Sequence, residues 1–578
     1  MATRRDVLKL GAMAGTGMIA PALPQLKRVP PNAVQYHGHV THHLGVQPQS
    51  PPTLAQFVDP LPIPPVIRPR PGSVTDISMS PITQKLHRDL PPTPLWGCNG
   101  VYPGPTFETT RGTPIQVNWK NNLGATHLLP VDTTIHGAES DKPAVRVVMH
   151  AHGLKVLPES DGYPEAWFTS DGRTGPVLFN QNPYEYPIDQ QAMGSWYHDH
   201  TLGILRLNIH AGLAGMYFIR DTVENSLNIP KGKFEVPLMF QDRIFNPDGS
   251  LVYPVATDGT HQFWIPEFFG DTMLVNGKVW PFLDVEPRRY RLRMVNACNA
   301  RFLRMTLVET DESGNRMGMA GPLFHVIGSD GGFLPGPVTS NELLQAPAER
   351  FDVIVDFTGK DGKFFVLKND GPAPFPGGGE VVPTEVMMFR VVRPLSSPDT
   401  TTIPGQLNPA PLNLDPTSAV KSRDLTLNEL DRASDGFPIM ALLDNKNWDD
   451  PVSEDPELGS TEIWNIINTT GDAHPIHIHL VHFQVLSRQA FNTNVFDKQG
   501  KLVLTGLPQA APPEEQFAYK DTVKAFPGTV TRLIMKFDLP SGTQIIPGHR
   551  YTYVWHCHIL EHEDNEMMRP FVVVAPEG

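Results

Sequence analysis

An all-β protein of several domains is what the sequence predicts, and three observations carry the prediction. The chain has 578 residues, too many for one hydrophobic core and enough for three or four domains. Proline and glycine supply 60 and 48 of them, about twice ordinary usage yet short of a disordered composition. Between these breakers lie many short runs rich in valine, isoleucine, phenylalanine and tyrosine, the texture of strands joined by turns.

Taken in order, residues 1–24 predict a twin-arginine export signal. Arg4-Arg5 precedes a weakly apolar Gly/Ala stretch that ends near Ala20 or Ala22. That route exports folded protein to the periplasm, the cell surface or the medium. Residues 25–90 read as a Pro-rich, solvated arm holding a histidine cluster at His37, His39, His42 and His43. Strand alternation then sets in, as in Ile115-Gln116-Val117-Asn118-Trp119, and a first domain is expected over 91–222. A second is expected over 223–395, with clear strands at Tyr290-Arg291-Leu292-Arg293-Met294-Val295-Asn296 and Phe351-Asp352-Val353-Ile354-Val355-Asp356. A linker at 396–420 leads to a third domain over 421–578.

Charge and hydropathy narrow the partners. The 47 Lys+Arg and 61 Asp+Glu leave a formal net charge of -14 with no basic block, which disfavours nucleic acid. No apolar run reaches about 18 residues, so no membrane span is expected.

The outer domains look like copies. The first holds Met149-His150-Ala151-His152-Gly153 and Trp196-Tyr197-His198-Asp199-His200; the third holds Pro475-Ile476-His477-Ile478-His479 and Trp555-His556-Cys557-His558. In the middle, Arg293-Met294-Val295-Asn296-Ala297 echoes Asn465-Ile466-Ile467-Asn468-Thr469, but no His-x-His follows, so this domain reads as a spacer. On a strand, residues i and i+2 share a face, so each His-x-His presents two imidazoles side by side. One such pair is weak; four pairs divided between two repeats predict eight histidines converging at the seam of the outer domains.

The same alternation turns Cys557 away from His556 and His558, toward a second site. His474 upstream, His562 five residues on and Met567 ten residues on complete a His2Cys set with an axial methionine, the blue-copper set. Zinc competes for any Cys/His cluster but ordinarily uses cysteine pairs or a closed tetrahedron. Cys98 and Cys298 are left open between a disulfide and buried free thiols.

The run from His556 to Met568 (His-Cys-His-Ile-Leu-Glu-His-Glu-Asp-Asn-Glu-Met-Met) resembles the C-terminal signature of the multicopper oxidases. Within them it is most similar to the branch of bacterial spore-coat laccase, bilirubin oxidase and phenoxazinone synthase. Residues 57–64, 86–93 and 160–167 agree with that resemblance. It implies three cupredoxin-like Greek-key domains and four coppers per chain. By the same resemblance, type 1 copper falls to His474, Cys557, His562 and Met567. Type 2 copper falls to His150 and His477, and the type 3 pair to His152, His198, His200, His479, His556 and His558. The resemblance also names Asp161 and Glu563 as acids that supply protons to O2.

The activity so implied is laccase-like: one-electron oxidation of phenols, aromatic amines or tetrapyrroles, docking near an exposed His562, coupled to reduction of O2 to water. Phenoxazinone synthesis from o-aminophenols is the nearest rival. A copper-tolerance or storage protein is a second class, and a pure electron-transfer cupredoxin a third that leaves eight histidines unexplained. His136, His210, His261, His325, His482 and His549 have no partner at ligand spacing, and Met568 reads as packing. No Met-rich insert suggests a cuprous-ion oxidase.

Overall fold

The computed structural model describes residues 52–177, 182–256, 261–379, 383–432 and 437–577. The expected export signal and the histidine cluster at 37–43 lie outside the described residues.

Six sheets pair into three two-sheet sandwiches. In the first domain, a five-stranded sheet runs in the order Val66–Ile67, Gly104–Thr110, Ala214–Arg220, Met193–Asp199, Met149–His152. A four-stranded sheet of Thr93–Cys98, Val74–Gln84, Ile115–Asn121 and Tyr184–Tyr186 packs on it through Ile77, Trp119, Phe107 and Tyr217. The third domain repeats the five-plus-four arrangement, and the middle domain has seven- and six-stranded sheets. Each of the three carries its own apolar core.

The expected arm needs correction. Val74–Gln84 is an inner strand of the first domain, paired with Thr93–Cys98 on one side and with Ile115–Asn121 on the other. Pro81 argues against a strand, because proline cannot donate to a ladder. The ladder toward Asn121 ends at Met79, however, so Pro81 faces only one neighbouring strand and its missing N–H costs nothing there.

The repeat is deeper than the sequence suggested. In every domain two strands pair in parallel and the second ends on asparagine: Met79 faces Asn121, Phe240 faces Asn296, and Leu427 faces Asn468. Each amide then ties down the chain that follows. Asn121 donates to Phe168 O and accepts from Leu123 N; Asn296 donates to Arg301 O and Gln345 O and accepts from Cys298 N. Asn468 donates to Asp472 O and Ala525 O and accepts from Thr470 N. A buried carbonyl left without its donor is costly, so Asn296→Ala should destabilise the middle domain by about 2–4 kcal/mol. The readout is a lowered midpoint in the thermal unfolding of the copper-loaded protein.

The outer domains meet through a buried ion pair. Arg206, in the helix Leu205–Ala211, lies 2.8 Å from Asp564 at the end of the helix Leu560–Asp564. The same carboxylate accepts from the Leu205 and Arg206 N–H groups, both at 3.0 Å. A third-domain side chain thus caps a first-domain helix, where its charge meets the positive end of the helix dipole.

Candidate metal centre

All four His-x-His pairs sit at or just past strand ends. Met149–His152 pairs antiparallel with Met193–Asp199 so that His150 faces His198, and His474–Ile478 pairs with Arg550–Cys557 so that His477 faces His556. Within each pair the ring centres lie 5.8, 5.8, 4.9 and 5.4 Å apart, the spacing period-two alternation requires. Across the seam the rings stack: His150 on His479 at 3.9 Å and His152 on His477 at 3.7 Å. The eight rings are all buried.

Their ring nitrogens converge. His152, His198 and His558 form one group, and His200, His479 and His556 another, each with ligand atoms within 4.8 Å of one another. His150 and His477 lie between them with both Nε2 atoms buried and lacking a hydrogen-bond partner. Their Nδ1 atoms donate to backbone carbonyls, His150 to Asp161 O at 2.5 Å and His477 to Asp521 O at 2.8 Å. That assignment fixes the tautomer and leaves each Nε2 as a free lone pair. Burial, followed by the neighbouring imidazoles, lowers the basicity of His150, His198 and His479, and burial pushes His558 down to about 3. Neutral imidazoles with lone pairs aimed at one another repel unless a cation lies between them. The donor set therefore fits resident metal.

Cys557 points into a separate compartment. Its Sγ lies 3.5 Å from His474 Nδ1 and 3.8 Å from His562 Nδ1, and those two nitrogens are 3.3 Å apart. Ile559 N–H donates to the sulfur at 3.4 Å. Burial pushes the Cys557 thiol well up, and the nearby Glu563, Glu267 and Glu429 push the same way, so a thiolate here needs a metal cation. A single thiolate with two imidazoles suits copper better than structural zinc. Met567 is fully buried in the same apolar cluster, and its carbonyl accepts from Cys557 N–H at 3.0 Å. Met568 packs instead with Leu560 and Val554.

The expected exposure of His562 is not found: it is 3% exposed. The middle domain closes over its helix, with Tyr253 and Asn299 bonded to the Glu561 carboxylate and Trp264 to the Glu561 carbonyl. Sequence spacing within the third domain holds no signal for that cover.

Both predicted acids touch the histidine cluster. Asp161 Oδ2 accepts from His479 Nδ1 at 2.7 Å, and burial holds its carboxyl well above the usual range. Glu563 Oε1 lies 3.1 Å from His200 Nε2 and 3.2 Å from His556 Nδ1. Burial alone would raise Glu563, but His556 and His200 hold it well below the usual range. A third acid, missed in the sequence, is Asp521, whose Oδ1 lies 3.1 Å from His152 Nε2. It stands 369 residues away, and no local spacing announces it.

Among the described residues, the histidines with no predicted ligand role belong to none of these groups. His136 pairs with Glu566 at 2.9 Å, His261 bonds Thr134, His325 bonds Thr339, and His549 packs on Tyr551. His210 packs on Phe268, and His482 lies 3.7 Å from Asp521. Cys98 and Cys298 are both buried free thiols.

Two family profiles, both described as multicopper oxidase, match residues 414–577 and residues 82–146 with 142–224. A laccase of Bacillus stratosphericus is 46% identical over 90% of this chain and 99% of its own length. A laccase of Bacillus subtilis (strain 168) is 44% identical, over 91% and 99%. Among solved structures, the McoA multicopper oxidase of Aquifex aeolicus superposes with a TM-score of 0.69 at 27% identity, covering 89% of this chain and 99% of that one. The three sandwiches are accordingly cupredoxin-like.

Proposed function

Because the chain belongs to the multicopper oxidase family, a copper-dependent oxidoreductase that uses O2, we propose which residues divide the work and which reductants they admit. The type 1 metal is held by His474, Cys557, His562 and Met567, type 2 by His150 and His477, and the type 3 pair by the remaining six histidines. The convergence of unpartnered imidazole nitrogens at the seam carries this reading. Copper supplies one-electron chemistry at the thiolate site and O2 reduction at the histidine cluster.

The chain's own residues do the rest. Cys557 is covalently flanked by His556 and His558, so peptide bonds give the shortest link between the compartments. Asp161, buried beside His479, can hold a proton one hydrogen bond from that ring. Glu563 sits between His200 and His556, where it can receive and pass protons toward the same rings.

The reductant is a small aromatic donor, and the surroundings of His474 favour a cationic one. Glu429 Oε1 lies 3.8 Å from His474 Nε2, and the Asp472 carboxylate acts on the same imidazole. This acidic shell supports protonated aromatic amines over anionic tetrapyrroles. Glu429→Gln should raise KM for a cationic phenylenediamine about 2- to 5-fold and lower it for an anionic donor. Steady-state kinetics on both donors measure the split, and equal shifts for the two would refute the charge preference.

A storage or tolerance role is not favoured, since the relatives named above are laccases. O2 uptake on a panel of methoxyphenol, phenylenediamine, o-aminophenol and bilirubin tests the oxidase reading, with about four electrons drawn from the donor per O2 consumed. Failure to consume O2 with any donor at full copper loading would sink it. The export signal over residues 1–24 is also proposed. No helix among the described residues is long and apolar enough to cross a membrane.

A further inference from the structure

We infer that Arg350 and Asp521 form a positioning pair through which the middle domain, which contributes no histidine to the cluster, orients His152 and His477. That role rests on the ligand assignment proposed above.

Two aspartates serve the cluster in matching ways. Asp161, in the first domain, accepts from its own domain's His150 through the backbone carbonyl and from the third domain's His479 through the carboxylate. Asp521, in the third domain, accepts from its own domain's His477 through the backbone carbonyl at 2.8 Å. Its carboxylate reaches the first domain's His152 Nε2 at 3.1 Å. The two sites are related by the repeat of the outer domains, and each aspartate spans the seam.

They differ in what stands behind them. Among the described residues no arginine or lysine bonds Asp161, whereas Asp521 is gripped by Arg350. Arg350 Nη1 lies 2.7 Å from Asp521 Oδ1, and Nη2 pairs with Oδ2. The fork fixes the plane of the carboxylate as a single ammonium could not. Arg350 is itself seated in the middle domain, with Nη1 on Ala348 O and its backbone N–H on Asp330 Oδ1. Asp330 in turn bonds Lys520 at 2.8 Å, next to Asp521 in the chain. Arg350, Asp330, Lys520 and Asp521 are all buried.

With Asp521 held, His152 has one orientation. Its Nε2–H donates to Asp521, with Thr522 Oγ1 also at 3.1 Å, and Nδ1 is left facing His198 Nε2 at 3.4 Å. Gly153 belongs to the same device. Its φ is +72°, and a side chain there would run into the Asp521 carboxylate and the Arg350 guanidinium. The glycine that follows His150-Ala151-His152 is thus required by the close approach of this pair. The middle domain is no inert spacer.

Wild type, Asp521→Asn and Arg350→Lys are to be compared as copper-loaded full-length proteins. Three quantities are read: copper per chain, the type 2 EPR signal, and the blue absorption of the Cys557 site. Asp521→Asn keeps the shape but cannot form the ion pair. It should change the type 2 hyperfine splitting and cut O2-dependent turnover by about 10- to 100-fold. The blue band, and its anaerobic bleaching by reductant, should stay within about twofold of wild type. Arg350→Lys keeps the cation and the fold but loses the fork, and should show the same selective pattern to a smaller degree. Wild-type type 2 EPR and turnover in both variants would overturn the positioning role. So would parallel loss of the blue band and the type 2 signal, which marks general destabilisation. If wild type itself lacks a type 2 signal, the ligand assignment fails first, and the role of the pair fails with it.

Discussion

Cys557→Ser should abolish the blue absorption at ~600 nm and lower oxidase turnover by at least about 10³-fold, which corresponds to roughly 4 kcal/mol of barrier. Cys557 is fully buried, and its sulfur receives a hydrogen bond from Ile559 N–H. Serine fills nearly the same space and can accept that bond, so the fold should survive. Its hydroxyl stays protonated and offers no soft anionic donor, so the compartment of His474 and His562 loses the ligand that sets its redox character. The histidine cluster, built from other side chains, should keep its copper. Absorption spectroscopy, copper analysis and O2 uptake on one preparation check all three statements. Full oxidase turnover with serine at 557 would mean that electrons enter elsewhere.

The second large effect is expected from Asp161→Asn. The amide keeps the size of the carboxyl and can still bond His479 Nδ1, while the backbone carbonyl continues to hold His150. What it loses is the capacity to carry a proton at a buried position where burial already favours the protonated form. O2-dependent turnover should fall about 10²- to 10⁴-fold, the range general acid–base groups supply. Anaerobic bleaching of the blue band by reductant should be unchanged, because that step needs no proton at the cluster. Stopped-flow absorption separates the two. Equal slowing of both steps would show that Asp161 acts on the architecture rather than on proton supply.

Much of the centre was legible because strand periodicity is local. A His-x-His motif needs only its own backbone to place two rings on one face, and Cys557 between two histidines needs only the same alternation to point away. The repeat of the outer domains doubled that signal. What stayed hidden depends on contacts between distant segments. Asp521 meets His152 across the seam, and Arg350 reaches it from a third domain. His562 follows Glu561, which Tyr253, Trp264 and Asn299 of the middle domain bond, so exposure could not be inferred from the third domain alone. The strand Val74–Gln84 was concealed by Pro81, whose cost depends on which neighbouring ladder reaches it. The middle domain's echo of residues 465–469 is a shared asparagine tether, and Asn121 is its third copy.

The proposed assignment divides the metal ligands into two compartments: a seam of eight histidines, and the site of the Cys557 thiolate. The most direct test is quantitative EPR with copper analysis on the wild-type protein. About four coppers per chain are expected, of which about two give EPR signals. One should have the narrow hyperfine splitting of a thiolate site, the other the wider splitting of a nitrogen-ligated site, with the paired coppers silent. A single copper per chain, or a thiolate signal with no second species at full loading, would contradict the division into two compartments.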